Sequence, residues 1–367
     1  MIEHPIVGGS KIYKQGEKMK HARARSLETH PGTPEVHAPT LADFTSFSSM
    51  LECMSTMTCG ARALGEAADI LCEMFKHCDC NVLTISGAAS VGKLDYMIAE
   101  LIDKGLIHCV VCTGAVITHG CSYEMGGKFF MVEEEEVNQD ADVAEYNRGY
   151  NRVFDTLELE TSLEKTADLV VDICREGSPT CHCISSQEIH YMMGERLCKD
   201  YPNEDGILHA AHRNGVPIIV PAFSDSEVGL SFARCIIEML KDGQTPPIFD
   251  PFKDLDCYCS LIKKSECRGI LTLGGGAPRN WAQQVGPFFD SLSDRGLLKL
   301  KEPVRFKYAI RICPEFTEWG GLSGCTYSEG ISWGKFIPEK EGGRFAEVYN
   351  DYTTVFPLLI KGVMERL

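Results

Sequence analysis

Asn81-Val82-Leu83-Thr84-Ile85-Ser86 is a short, largely apolar run that opens directly into Gly87-Ala88-Ala89-Ser90-Val91-Gly92-Lys93. Such a run reads as a buried strand. Past the glycines, Leu94 to Lys104 carries a helical pattern, and Ile107 to Cys112 is a second buried strand. The segment is therefore a strand–loop–helix–strand unit. The loop has the spacing G-x-x-x-x-G-K, but Leu94 stands where a phosphate-binding NTPase needs Ser or Thr for magnesium, which disfavours that class. Two readings stay open: backbone N–H groups at a helix N-terminus that receive a dinucleotide phosphate, or a plain strand-to-helix turn.

Working outward, the same alternation continues. Leu41 to Lys76 reads as helical, as do Ser162 to Arg175, Glu188 to Leu197, Gly206 to Arg213, Phe232 to Leu240 and Thr353 to Arg366. Strands are expected over Pro217–Ala222, Gly269–Leu273, Tyr308–Cys313 and Ala346–Tyr349. Strands alternating with helices give an α/β fold: a doubly wound, mostly parallel, Rossmann-like sheet with helices on both faces. Ligands of such sheets lie at the carboxyl ends of the strands. Here those ends carry Thr113-Gly114-Ala115, Ser224-Asp225-Ser226-Glu227 and Gly274-Gly275-Gly276. Residues 1–40 mix basic residues with Glu3, Glu17 and Glu28 and end in a Pro-rich stretch, which reads as an extended arm rather than a transit peptide. Residues 41–367 are expected to form one domain.

The chain has 367 residues, 44% hydrophobic and 24% charged, as in an ordinary globular protein. A net charge of −16 argues against a nucleic-acid binder. The 18 cysteines include the C-x-C pairs Cys78/Cys80, Cys181/Cys183 and Cys257/Cys259 and a lone C-x-x-C, Cys109/Cys112. Structural zinc needs C-x(2–4)-C pairs with matching partners, so no metal is expected. The thiols read as reduced, buried small hydrophobes of a cytoplasmic protein. No apolar run approaches the length of a membrane span.

The candidate chemistry lies in Tyr327-Ser328-Glu329-Gly330-Ile331-Ser332-Trp333-Gly334-Lys335. A lysine desolvated beside an indole is driven toward its neutral, nucleophilic amine. The tryptophan face suits a cationic substrate, and Glu329 can hold an ammonium group. The competing reading is a surface turn with a solvated lysine.

Ser332-Trp333-Gly334-Lys335, with Glu347-Val348-Tyr349-Asn350-Asp351 and Val355-Phe356-Pro357-Leu358-Leu359, resembles the C-terminal signature of deoxyhypusine synthases. The resemblance extends over about 41–367. It implies a Rossmann-like, NAD-dependent homotetramer that moves the 4-aminobutyl group of spermidine through an enzyme-lysine imine to a lysine of the hypusine-bearing translation initiation factor, without a metal. Lys335 matches the imine-forming nucleophile. Glu329 and Trp333 match polyamine-pocket residues, with Asn280, Glu227 and His119 as further candidates for substrate. Thr113, Gly114, Asp225, Gly275 and Asp351 match positions that contact NAD, and Ser90 joins them. The eukaryotic pattern has a histidine at Asn280, aspartates at Leu230 and Leu322, and a glutamate near Thr118/His119. Trp319-Gly320-Gly321-Leu322-Ser323-Gly324 and Pro278-Arg279-Asn280-Trp281 resemble the bacterial deoxyhypusine-synthase-like branch instead. Three alternatives follow: a small-amine acceptor, as in a homospermidine-forming transferase; an inactive or regulatory paralogue subunit; and, disfavoured, an NTPase.

Overall fold

The computed structural model describes residues 34–133, 137–177 and 183–367. Most of the expected arm, Glu134 to Glu136 of the acidic run, and Cys181 lie outside the described residues.

The strand–loop–helix–strand unit forms where the sequence places it. Strand β1 (Cys80–Ile85) pairs in parallel with β2 (Cys109–Cys112), from Val82 opposite Cys109 to Ile85 opposite Cys112, with helix Asp95–Asp103 between them. The later strands are β3 (Phe129–Met131), β4 (Tyr150–Val153), β5 (Thr156–Leu159), β6 (Cys183–Ile184), β7 (Ile218–Ile219), β8 (Ile248–Phe249), β9 (Arg268–Leu273), β10 (Tyr308–Ile312) and β11 (Arg344–Val348).

Six strands form one all-parallel sheet in the order β11-β10-β9-β1-β2-β7. Numbered by entry into the sheet, from the β7 edge, this order is third, second, first, fourth, fifth, sixth: the doubly wound Rossmann arrangement. The winding reverses between β1 and β9, and that reversal opens the crevice in which such sheets bind ligands. Here it brings the two glycine loops together. Ser86 N–H donates to Leu273 O (3.0 Å), and Gly275 N–H donates to Ser86 Oγ (2.8 Å).

The period-2 alternation of the strands divides the interior into two cores. Leu83, Ile85, Val110, Cys112, Leu271, Leu273, Ile310 and Ile312 point to one, where helices Cys59–His77 and Tyr352–Met364 pack. Cys80, Val82, Cys109, Val111, Ile270 and Ala309 point to the other, beneath helices Pro251–Lys264 and Val285–Asp294.

Departures from expectation are local. Leu41–Lys76 is split into a short turn, helix Phe47–Ser55 and helix Cys59–His77, because Ser46 and Thr58 each occupy an N-cap. The helix expected from Phe232 begins at Glu227, where Ser226 Oγ accepts from Gly229 N–H (3.0 Å). Pro217–Ala222 contributes only Ile218–Ile219 to the sheet. An antiparallel sheet, β3-β5-β4, had no clear signal in the sequence: its strands are three or four residues long and mostly half-exposed.

Candidate active site

The loop bearing Lys335 leaves helix Tyr327–Ser332 through a tightly specified turn. Gly334 N–H donates to Ile331 O (2.9 Å) and Lys335 N–H donates to Gly330 O (3.0 Å), the paired bonds of a Schellman cap. The cap requires a left-handed residue, and Gly334 supplies it at φ +71°. Phe306 then pairs with the chain on either side of Phe336, through Phe306 N–H to Lys335 O (3.0 Å) and Ile337 N–H to Phe306 O (2.9 Å). The backbone of Lys335 is therefore fixed on both sides.

Its side chain is half-buried and donates from Nζ to Asn280 Oδ1 (3.4 Å) on helix Gly276–Gln283. Burial, and after it the Arg279 guanidinium, hold the amine below the ordinary lysine range, against the opposing influence of Cys325 and Glu329. Glu329 is exposed and Trp333 is 60% exposed, so the carboxylate and indole face outward beside a lysine that is itself partly withdrawn.

Two arginines that the sequence reading missed support this loop. Arg311, in mid-strand β10, is 1% exposed and pairs with Glu347 Oε2 at 3.0 Å. It also donates to Ser323 O and to Cys325 O (3.1 Å). Arg279 reaches the same two carbonyls, at 3.4 and 2.8 Å. Glu347 in turn accepts from Tyr327 N–H (3.0 Å) and from Tyr349 Oη–H (2.9 Å). The sequence does hold one signal: an arginine inside the apolar run Tyr308-Ala309-Ile310-Arg311-Ile312 has to be paired.

The residues expected to meet a cofactor gather around the switch-point crevice. Thr113 Oγ1 donates to Gly87 O (2.5 Å), tying the end of β2 to the loop after β1. Gly114 begins the next helix hard against Ser226: a Cβ on it would lie 1.9 Å from Ser226 Cβ, so only glycine permits the approach. Asp225 is exposed in the turn beyond β7. Asp351 caps helix Tyr352–Met364 by accepting from Thr353 N–H (2.8 Å), and Tyr352 Oη–H donates to Ser86 O (3.0 Å), bringing that helix start to the same crevice.

Ser90 has an internal place. It is buried, with its hydroxyl between Val116 O (2.7 Å) and Asp95 Oδ1 (2.6 Å). The hydroxyl donates toward both acceptors, and burial pushes the Asp95 carboxyl upward while the Ser90 hydrogen bond opposes that shift. The amides of the second half of the loop are bonded internally: Val91 and Gly92 N–H to Ala88 O, Lys93 N–H to Ser90 O and Leu94 N–H to Ala89 O.

His119 joins a different group. Its Nδ1 lies 2.5 Å from Glu158 Oε2, and the buried Glu158 also accepts from Ser122 Oγ (2.5 Å). Lys93 Nζ sits nearby, 3.3 Å from the Phe129 ring centroid and 3.9 Å from that of Tyr123, its amine pushed down to about 8 by burial. Glu227 is the exposed first residue of its helix, where a carboxylate also answers the helix dipole.

The deoxyhypusine synthase family model matches residues 49–363. The chain belongs to the deoxyhypusine synthase family. Its relatives include the "Probable deoxyhypusine synthase 2" of Methanosarcina acetivorans, 31% identical over 328 residues, which span 88% of this chain and 87% of that protein. A deoxyhypusine synthase-like protein of Caulobacter vibrioides is 27% identical over 325 residues, 86% of this chain and 83% of its own. In fold, the chain is similar to the crystal structure of a candidate deoxyhypusine synthase from Entamoeba histolytica, with a TM-score of 0.54 at 15% identity, over 90% of this chain and 97% of that one. Both the Rossmann-like architecture and the resemblance to the family are thus borne out.

Among the described residues no cluster of His, Cys, Asp and Glu is placed to hold a metal ion, and no helix is long and apolar enough to cross a membrane. The described cysteines are free thiols, many of them buried.

Replacing Arg311 by Met removes the charged partner of Glu347 and leaves Arg279 as the remaining guanidinium on the two loop carbonyls. Urea unfolding should show a loss of about 3–5 kcal/mol, the usual consequence of removing one partner of a buried pair. An unchanged midpoint would remove the arginine from the loop's support.

Proposed function

We propose that this protein transfers a 4-aminobutyl group from spermidine or a closely related amine, through an imine on Lys335, to an acceptor amine. The observation that carries the proposal is the half-buried Lys335 amine, held below its ordinary range and bonded to the neutral Asn280, next to the outward-facing Glu329 and Trp333. A fixed amine whose charged form is disfavoured by burial suits attack on an electrophilic carbon. Glu329 and Trp333 suit one cationic end of a polyamine.

NAD fits the crevice chemically: Asp225 and Asp351 are exposed carboxylates of the kind that hold ribose hydroxyls, beside the glycine-bearing ends of β1, β2 and β9. When bound, the nicotinamide supplies a reversible hydride sink, oxidising the donor amine to an imine and later reducing the product imine. Lys335 attacks the oxidised donor at its imine carbon, and the C–N bond to the leaving 1,3-diaminopropane breaks as that amine takes a proton. The acceptor amine then displaces Lys335 from the enzyme imine, returning the lysine to its free form. Each exchange swaps one C=N bond for another, so no further oxidant is needed. Thr113, Gly114 and Gly275 shape the crevice wall, while Ser90 and His119 act from behind it, in the packing of the loop and of Glu158.

The acceptor is either the hypusine-bearing translation initiation factor or a small amine. Leu230 and Leu322 favour the altered-pocket reading, because a buried ammonium without a carboxylate is costly. Both are exposed in this chain, with Phe316, Trp319 and Trp333. Large exposed apolar side chains of this kind favour assembly, and we place the protein as a cytoplasmic homotetramer whose 41–367 segment is one catalytic domain. The poised Lys335 speaks against an inactive subunit.

The deciding assay is incubation of the pure protein with NAD and spermidine, with release of 1,3-diaminopropane as the signal. Release is expected from the native protein and not from Lys335→Arg; equal release from both would refute the assignment. Spermidine, putrescine, agmatine and longer polyamines should differ in kcat/KM, each missing charge-assisted contact costing roughly 1.5–3 kcal/mol, about ten- to a hundredfold. Spermidine-dependent modification of the translation factor as efficient as that of a eukaryotic enzyme assayed alongside would contradict the altered pocket. Asp225→Ala and Asp351→Ala should weaken NAD binding in direct titration more than they weaken amine binding; unchanged NAD affinity in both would count against the crevice.

A further inference from the structure

Lys335 lies among an uneven set of charges. From helix Gly276–Gln283 the neutral Asn280 accepts from its Nζ, and the preceding residue, Arg279, is 3% exposed and close enough to act on the amine by charge. From the loop before helix Tyr327–Ser332 it faces Cys325, whose thiol burial and Glu329 push upward, so that it holds its proton. From the helix itself it faces Glu329, on the solvent side. Beneath the neighbouring Gly334 lie Arg305 and Asp290, paired with each other at 2.6 Å and so adding no net charge.

Arg279 has no carboxylate of its own in this arrangement. It meets the Ser323 and Cys325 carbonyls and the face of Tyr327, whose ring centroid lies 5.5 Å from Cζ; its Nε is buried without a partner among the described residues. Glu347, the carboxylate on the sheet side, is engaged by Arg311, which holds the same two carbonyls. Arg279, Arg311 and Glu347 together carry an excess of one positive charge beneath the lysine loop, where screening is poor, with Glu329 on the solvent side.

We propose that Arg279 is a positioning residue for Lys335: it fixes the 323–325 segment through two backbone carbonyls, and its unneutralised charge favours the uncharged, nucleophilic amine of the lysine. The proposal rests on the reading of Lys335 as the imine-forming residue, but the charge effect is measurable without turnover. Arg279 and Asn280 are consecutive, so one turn of helix supplies both the amine's hydrogen-bond partner and its charged neighbour. Burial alone would favour the neutral amine, but would not respond to the sign of the charge at position 279.

The test is competitive labelling of the intact protein with trace acetic anhydride over a pH series, with the Lys335 peptide quantified by mass spectrometry. The midpoint for Lys335 should move to higher pH in Arg279→Gln and stay near the native value in Arg279→Lys. Arg279→Met, which keeps an apolar stem against Tyr327, takes the place of Arg279→Gln if the latter does not fold. A midpoint unmoved in the neutral variants would overturn the proposal. So would an equal upward shift in Arg279→Lys, which a mere loosening of the loop produces. If the midpoints shift as expected while native protein forms no adduct with donor and NAD, the transferase reading fails and the role of Arg279 stands.

Discussion

A guanidinium in the middle of a buried parallel strand has to be paired, and Arg311 is satisfied in a way that builds the site. One side of it meets Glu347 on the adjacent strand β11, and the other meets the carbonyls of Ser323 and Cys325. Glu347 then reaches Tyr327 N–H, at the start of the helix that leads to Lys335. The sheet interior and the lysine loop are therefore linked by charge-assisted bonds in a region where broken bonds are expensive. Without that link the loop would rest on the Schellman turn, the pairing with Phe306 and the Arg279 contacts to Ser323 and Cys325.

The consequence is a division of labour along one edge of the sheet. At the carboxyl ends of the strands, Gly114 packs on Ser226, Gly275 N–H donates to Ser86 Oγ, and Tyr352, at the start of the last helix, donates to Ser86 O. The loop carrying Lys335 joins the same end through Ser323, whose Oγ accepts from Gly276 N–H (3.0 Å). A hydride-accepting cofactor and an amine nucleophile would then be served by adjoining segments of one scaffold, each fixed by side chains already spent on internal bonds. Preorganisation of this kind spares the reorganisation otherwise needed at the moment of reaction.

Much of this was legible in the sequence, and the parts that were not share a cause. Asn81–Ser86 and Gly269–Leu273 read as buried strands because both faces of a parallel sheet are covered and their apolar runs are nearly unbroken. β4 and β5 failed to announce themselves because a short, half-exposed hairpin has neither a continuous run nor a clean alternation. The Lys335 loop was found through its motif, but Arg279 and Arg311 were not: their roles depend on which carbonyls the fold brings to them from 44 and 12 residues away. The G-x-x-x-x-G-K spacing around Ser90 could not say that the amides of Val91 to Leu94 bond within the turn, a fact that resides in φ and ψ rather than in residue identity.

The central claim is that the Lys335 amine becomes the covalent carrier. The most direct measurement is borohydride reduction of the native protein in the presence of spermidine and NAD, followed by peptide mass spectrometry. The account predicts a stable aminobutyl adduct on the peptide containing Lys335, dependent on both small molecules. An adduct confined to another lysine, such as the partly withdrawn Lys93, would contradict it.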